Sequence, residues 1–186
     1  AAGAALGVGL DLDAVATALS AAVPRSRWRM EVSVRPDDVV VLNDAYNANP
    51  ESVRAALAAA EQLLADARQQ HPGARLVAVL GDMLELGAAA AEEHREVGAV
   101  VARAGGELVA VGAHAADLAA GFASVTPRRG DGPAAGGTAT VLGTKDEVAP
   151  LLADRLSPGD VVVVKASRAC ELQTVAAELV RSGERR

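Results

Sequence analysis

Val39-Val40-Val41-Leu42-Asn43-Asp44-Ala45-Tyr46-Asn47-Ala48-Asn49-Pro50-Glu51-Ser52 reads as a strand, a polar loop and a helix start. Four apolar residues in a row (Val39 to Leu42) suit a strand covered on both faces, the pattern of a parallel sheet rather than of a half-solvated hairpin. Asn49 is a good N-cap, Pro50 fits the first helical position, and Glu51 complements the positive end of the helix dipole. Between strand and helix stand Asn43, Asp44, the chain's only tyrosine, Tyr46, and Asn47. That is more polar side chain than a connector requires, and it reads either as a well-capped turn or as part of a site.

Outward from this stretch the same strand–loop–helix rhythm repeats. Downstream, a helix from Pro50 to about Gln70 carries Val53, Leu57, Ala60, Leu64 and Ala67 on one stripe. Strands are expected at 75–80, 107–111, 138–142 and 161–164, and helices at about 89–104, 114–122, 145–156 and 169–181. The Val161 to Val164 run is the most central strand by composition. Thr126 to Gly137, rich in Pro, Gly and Arg, is a long surface loop. Upstream, Arg25 to Val34 alternates polar and apolar residues, and Arg35-Pro36-Asp37-Asp38 turns it into the Val39 strand, so these two strands form a hairpin at a sheet edge. Asp11 caps a helix over about 12–22 with Leu12, Val15 and Leu19 on one face. Residues 1–10 read as the end of a small-residue helix with Gly7 or Gly9 at its C-cap. The fold class is therefore α/β: a Rossmann-like, mostly parallel sheet with helices on both faces and an antiparallel N-terminal hairpin strand.

Composition narrows the function. The 186 residues suffice for a sizeable core, and with 51% hydrophobic but only 2% aromatic residues that core is built from Ala, Val and Leu. A formal charge of −6 with no dense Lys/Arg face argues against a nucleic-acid partner. No apolar run approaches the ~18 residues of a membrane helix. A lone Cys170 excludes an internal disulfide framework and fits a reducing cytoplasm; at a helix start its thiol is expected to have a lowered pKa. The opening Ala1-Ala2-Gly3 lacks an initiator Met and suggests a piece of a longer chain. Gly7-Val8-Gly9 follows no strand and lacks the third glycine of a dinucleotide fingerprint. No Gly-x-x-x-x-Gly-Lys-Ser/Thr loop occurs in the 186 residues, so a nucleoside triphosphate would be held by another domain. No His/Cys/Asp cluster has metal-ligand spacing, and no metal site is expected.

In an open α/β sheet, ligands sit beyond the carboxyl ends of the strands. Those ends deliver Asp44 to Asn49, Gly81 to Glu85, Gly112 to His114, Gly143 to Lys145, and Lys165 to Arg168. Lys165-Ala166-Ser167-Arg168 brings two cations, a hydroxyl and backbone N–H groups to one place, which suits a carboxylate or phosphate. Asp82 and Glu85 either orient a ligand ammonium or ribose, or cap the next helix and meet Arg95. His94 falls on the apolar stripe of its helix, the position of a buried, hydrogen-bonded histidine rather than of a base.

Three blocks taken together resemble the C-terminal domain of the Mur ligases, in the branch that adds D-alanyl-D-alanine: Asn43-Asp44-Ala45-Tyr46-Asn47-Ala48-Asn49-Pro50; Val79-Leu80-Gly81-Asp82-Met83-Leu84-Glu85-Leu86-Gly87 followed by His94; and Val162-Val163-Val164-Lys165-Ala166-Ser167-Arg168. Relatives that add diaminopimelate or lysine, and folylpolyglutamate synthetases, carry a histidine in the first block. Here it is replaced by Tyr46-Asn47-Ala48-Asn49, and an Asp-Asn-Pro-Arg motif is absent. The resemblance implies a three-domain cytoplasmic enzyme of peptidoglycan synthesis, a monomer, whose partners are D-alanyl-D-alanine, UDP-N-acetylmuramoyl-tripeptide and its own N-terminal and central domains. ATP and Mg2+ would be held mainly by the central domain. Residues 1–27 would be the end of that domain and 28–186 the C-terminal domain, inactive alone. On the same ground Arg29, Asp44, Tyr46 and Asn47 are candidates for the nucleotide, and Asn49, Asp82, Glu85, Lys165, Ser167 and Arg168 for the amino-acid substrate. A Pro-Gly pair that many relatives carry before the linker arginine is here Ser26-Arg27-Trp28, so Arg25 or Arg27 could share the role of Arg29. The alternative readings are a stand-alone Rossmann-type nucleotide- or anion-binding module, or another relative among the Mur ligases and folylpolyglutamate synthetases.

Overall fold

The computed structural model describes residues 7–9, 11–20, 27–125 and 137–184. The elements are α1 (Leu12–Ser20), β1 (Glu31–Val34), β2 (Val40–Asn43), α2 (Pro50–Ala67), β3 (Leu76–Leu80), α3 (Ala90–Arg103), β4 (Glu107–Val111), α4 (Ala115–Ala123), β5 (Ala139–Leu142), α5 (Val148–Ala153), β6 (Val161–Lys165) and α6 (Gln173–Glu184). One six-stranded sheet has the order β1-β2-β6-β3-β4-β5. All neighbours are parallel except β1 and β2, which pair antiparallel with Glu31 opposite Asn43. The expected hairpin edge and central Val161 strand are both present.

Side-chain alternation along the strands sorts the core into two layers. Leu42, Leu76, Ala78, Leu80, Leu108, Ala110, Val161 and Val163 face α2, α3 and α4. Val41, Val77, Val79, Val109, Val111, Val162 and Val164 face α5 and α6. Both layers are built from this chain's own residues, so the sheet buries its core without help from another domain. The chain leaving β6 enters α6 on one face, while the chains leaving its neighbours β2 and β3 enter α2 and α3 on the other. A crevice therefore opens beyond the carboxyl end of β6.

Several boundaries differ from the sequence reading for local reasons. The first strand is shorter than the alternation suggests: residues 27–30 form a turn, with Trp28 at φ 61° and Met30 at φ 49°. Residues 25 and 26, like 1–6 and most of the 126–137 loop, lie outside the described residues. The last helix begins four residues later than expected, at Gln173, because Arg168–Cys170 is a separate 3₁₀ turn closed by Glu171 at φ 54°. Asp11 caps α1 as expected, its carboxylate accepting the N–H groups of Asp13 and Ala14, but Leu12 is 63% exposed.

Candidate functional site

Three loops meet at the carboxyl edge: 44–49 after β2, 81–86 after β3 and 166–172 after β6. They are joined by hydrogen bonds that use much of the polar inventory picked out in the sequence. Asn49 is the N-cap of α2, its side chain accepting from Ser52 N at 2.8 Å while the Ser52 hydroxyl accepts from Asn49 N at 3.0 Å, a reciprocal capping box. Ser167 is buried; its N–H donates to the Asp82 carbonyl (2.9 Å) and its hydroxyl accepts from Leu84 N (2.9 Å).

Asp82 caps a helix, though not the next one along the chain. Its carboxylate accepts the N–H groups of Ala113 (3.0 Å) and His114 (2.9 Å) at the start of α4. Gly112, at φ +109°, makes room: a β-carbon there would lie 2.7 Å from the same carboxylate. Arg95 pairs instead with Asp117 and Glu92. Glu85 sits exposed in the left-handed region (φ 67°), with no hydrogen bond or ion pair to the described residues.

His94 is fully buried and serves structure, as its place on the helix stripe suggested. Its Nδ1 lies 2.6 Å from the Ala90 carbonyl and its Nε2 accepts from Met83 N at 2.9 Å. That pair of partners calls for the neutral tautomer with the proton on Nδ1. Burial holds its pKa below the ordinary value, and the ring stacks on His114 at 4.4 Å. His114 in turn bonds Asp117 at 2.9 Å.

Beyond β6 the two cations separate. Lys165, 2% exposed, turns under the 44–49 loop and donates to Asp44 Oδ2 (2.5 Å), the Asp44 carbonyl (3.3 Å) and the Asn47 carbonyl (2.8 Å). The other Asp44 oxygen accepts Met30 N at 3.0 Å. The expected convergence of Lys165 and Arg168 on one anion is thus not what the structure brings together, and the Ser167 N–H is not free for a ligand. Arg168 is exposed, its guanidinium carbon 5.2 Å from the Trp28 ring centre and 5.1 Å from that of Tyr46. The Arg29 guanidinium carbon lies 4.2 Å from the Tyr46 ring centre, and that of Arg27 lies 5.7 Å from that of Trp28. Three guanidiniums and the chain's only Trp and only Tyr therefore make one cationic, aromatic surface at the mouth of the crevice. Asn47 is exposed beside it.

The sequence reading used Trp28 only as a boundary marker. The signal was available: a single Trp between two arginines in a chain that is 2% aromatic. Cys170 is a correction. It belongs to the 3₁₀ turn and not to the first turn of α6, and burial, aided by nearby Asp82, raises its pKa rather than lowering it. Among the described residues no group of three or more His, Cys, Asp or Glu side chains could hold a metal ion.

The carboxyl edge of this mostly parallel sheet carries a buried Lys–Asp pair and a cluster of arginines on aromatic rings, and the comparisons with known proteins give the domain a family. Residues 28–168 match the family model described as "Mur ligase, glutamate ligase domain", and the chain belongs to the Mur ligase family. More particularly, it is 42% identical over 97% of its length to the UDP-N-acetylmuramoyl-tripeptide–D-alanyl-D-alanine ligase of Mycobacterium tuberculosis. It spans 36% of that relative's length. The fold superposes on MurF from Acinetobacter baumannii with a TM-score of 0.70 at 25% identity, covering 95% of this chain and 35% of that one. MurF from Thermotoga maritima, solved in complex with ADP, shares the fold with a TM-score of 0.64 at 24% identity, covering 97% of this chain and 36% of that one.

Proposed function

We propose that this chain is the C-terminal, cleft-closing domain of a cytoplasmic, monomeric ligase that joins D-alanyl-D-alanine to UDP-N-acetylmuramoyl-tripeptide at the expense of ATP. Its 42% identity over almost the whole chain to a ligase of that name is the observation that carries the reading. In the proposed reaction the tripeptide carboxylate attacks the γ-phosphorus of ATP and ADP leaves. The dipeptide amine, as the free base, then attacks the acyl carbon, phosphate leaves, and the ammonium proton is lost to solvent or to a nearby base.

The residues of this chain fit the anionic parts of that chemistry. Arg29, seated on Tyr46, suits the nucleotide phosphates, and Tyr46 with Asn47 suits the sugar or base beside them. Arg168, held between two rings, suits the carboxylate of the dipeptide, since a pre-oriented guanidinium loses little freedom on pairing with a carboxylate. Exposed Glu85 suits the dipeptide ammonium before it loses its proton. Asn49, Asp82 and Ser167 fix the loops through side-chain oxygens that accept backbone N–H groups, and the Asn49 amide and Ser167 hydroxyl keep donors for the substrate. Mg2+ is assigned to ATP and to a P-loop domain elsewhere in the full-length ligase, whose end residues 1–27 would form. No described helix is long and apolar enough to cross a membrane.

The test is ADP release by the full-length ligase. Release is expected only when both the UDP-linked tripeptide and D-alanyl-D-alanine are present, with none from the 186-residue chain alone. Release with another amino acid in place of the dipeptide would overturn the substrate assignment.

A further inference from the structure

Asp44 and Lys165 lie at the heart of the edge, and both are bonded to the chain itself. All three acceptors of the Lys165 ammonium belong to the 44–47 loop, which matches the three protons it carries. Both Asp44 oxygens are taken, one by that ammonium and one by Met30 N–H. Met30 closes a turn that needs holding: Trp28 (φ 61°) and Met30 (φ 49°) both occupy the left-handed region that non-glycine residues avoid. Three bonds hold it, from Met30 N to Asp44, from Tyr46 N to the Trp28 carbonyl (3.0 Å) and from Trp28 N to Glu31 (3.3 Å). Between the two strained residues stands Arg29, whose guanidinium rests on the Tyr46 ring. An exposed arginine without that seat would be spread over many rotamers.

We infer that Asp44 and Lys165 are positioning residues: a buried strut that pins the 27–30 turn to the β2 and β6 ends and so aims Arg29. This rests on the nucleotide role proposed for Arg29. The strut runs in one unbroken line from the last residue of β6, through the β2 loop, to the turn.

Two experiments test it. In the 186-residue chain Trp28 is the sole tryptophan, so its fluorescence reports the turn directly. The D44A variant is expected to shift its emission and raise acrylamide quenching by about twofold or more, while D44N, which keeps an oxygen for Met30 N–H, stays nearer the parent. Unchanged quenching in folded D44A would overturn the strut. Should D44A not fold, D44N/K165M, which buries no charge, replaces it. The loop then loses its three-way donor, and quenching above that of D44N is expected; quenching equal to the parent's would overturn the strut.

In the full-length ligase, R29A and D44A should each raise the KM for ATP by about tenfold, and the double variant should add less than about twofold to R29A. Full additivity would mean that Asp44 acts independently of Arg29 and would overturn the positioning role. An unchanged KM for ATP in R29A itself would remove the nucleotide reading and with it the functional role of the strut, while the fluorescence result would still decide whether the strut holds the turn.

Discussion

The two halves of the carboxyl edge use the same kinds of residue to opposite ends. Beyond β3 and β4, Asp82, His94, His114 and Asp117 bond to backbone or to one another, and their charges and dipoles close in on themselves. Beyond β2 and β6, Lys165 and Asp44 are equally closed, but they carry above them Arg29 and Arg168, exposed on the faces of Tyr46 and Trp28. A polar residue at a ligand-bearing edge is thus no evidence of ligand contact by itself. What separates the two kinds is whether its hydrogen-bonding capacity is already filled.

The largest effect is expected where closure is tightest. K165A strands the Asp44 carboxylate in a buried loop and should cost about 3–5 kcal/mol in a denaturant titration. A loss under about 1 kcal/mol would mean that the pair is not closed in solution. D82A removes the acceptor of two N–H groups at the start of α4 and should cost about 1–2 kcal/mol. Since Asp82 belongs to the closed half, hydrogen exchange should quicken at Ala113 and His114 with Trp28 unaffected.

How much of this was legible in the sequence depends on the same distinction. Hydrophobic runs and caps located the sheet, the helices and the edge, because Val161 to Val164 and Asn49-Pro50 carry their meaning locally. His94 was readable from its register on α3. Lys165 was not: a lysine after four valines points to the edge, but its turn under the β2 loop depends on the Asp44 carboxylate and the Asn47 carbonyl, more than a hundred residues away in sequence. Nor was Asp82 readable as the cap of α4, since nothing local distinguishes it from a cap of α3. Cys170 failed for a local reason, the left-handed Glu171 that separates it from α6.

A pH titration sharpens the contrast with a smaller effect. Burial depresses the pKa of folded His94 below its ordinary 6.5, so the unfolded chain binds the extra proton first. His94's contribution is then fully present above about pH 6.5 and lost as pH falls from there toward the depressed value, with a slope of at most about 1.4 kcal/mol per pH unit. Subtracting the same titration for H94N should isolate this slope; identical curves would mean that His94 is not buried as the neutral ring. The smallest stability change belongs to the open half: R168A should remain within about 0.5 kcal/mol of the parent, since its partners are ring faces at the surface.

The same R168A variant supplies the most direct test of the open half as the ligand-bearing one. Steady-state KM for D-alanyl-D-alanine in the full-length ligase should rise by about tenfold or more, with the KM for ATP moving less than about twofold. An unchanged KM for the dipeptide would contradict the account.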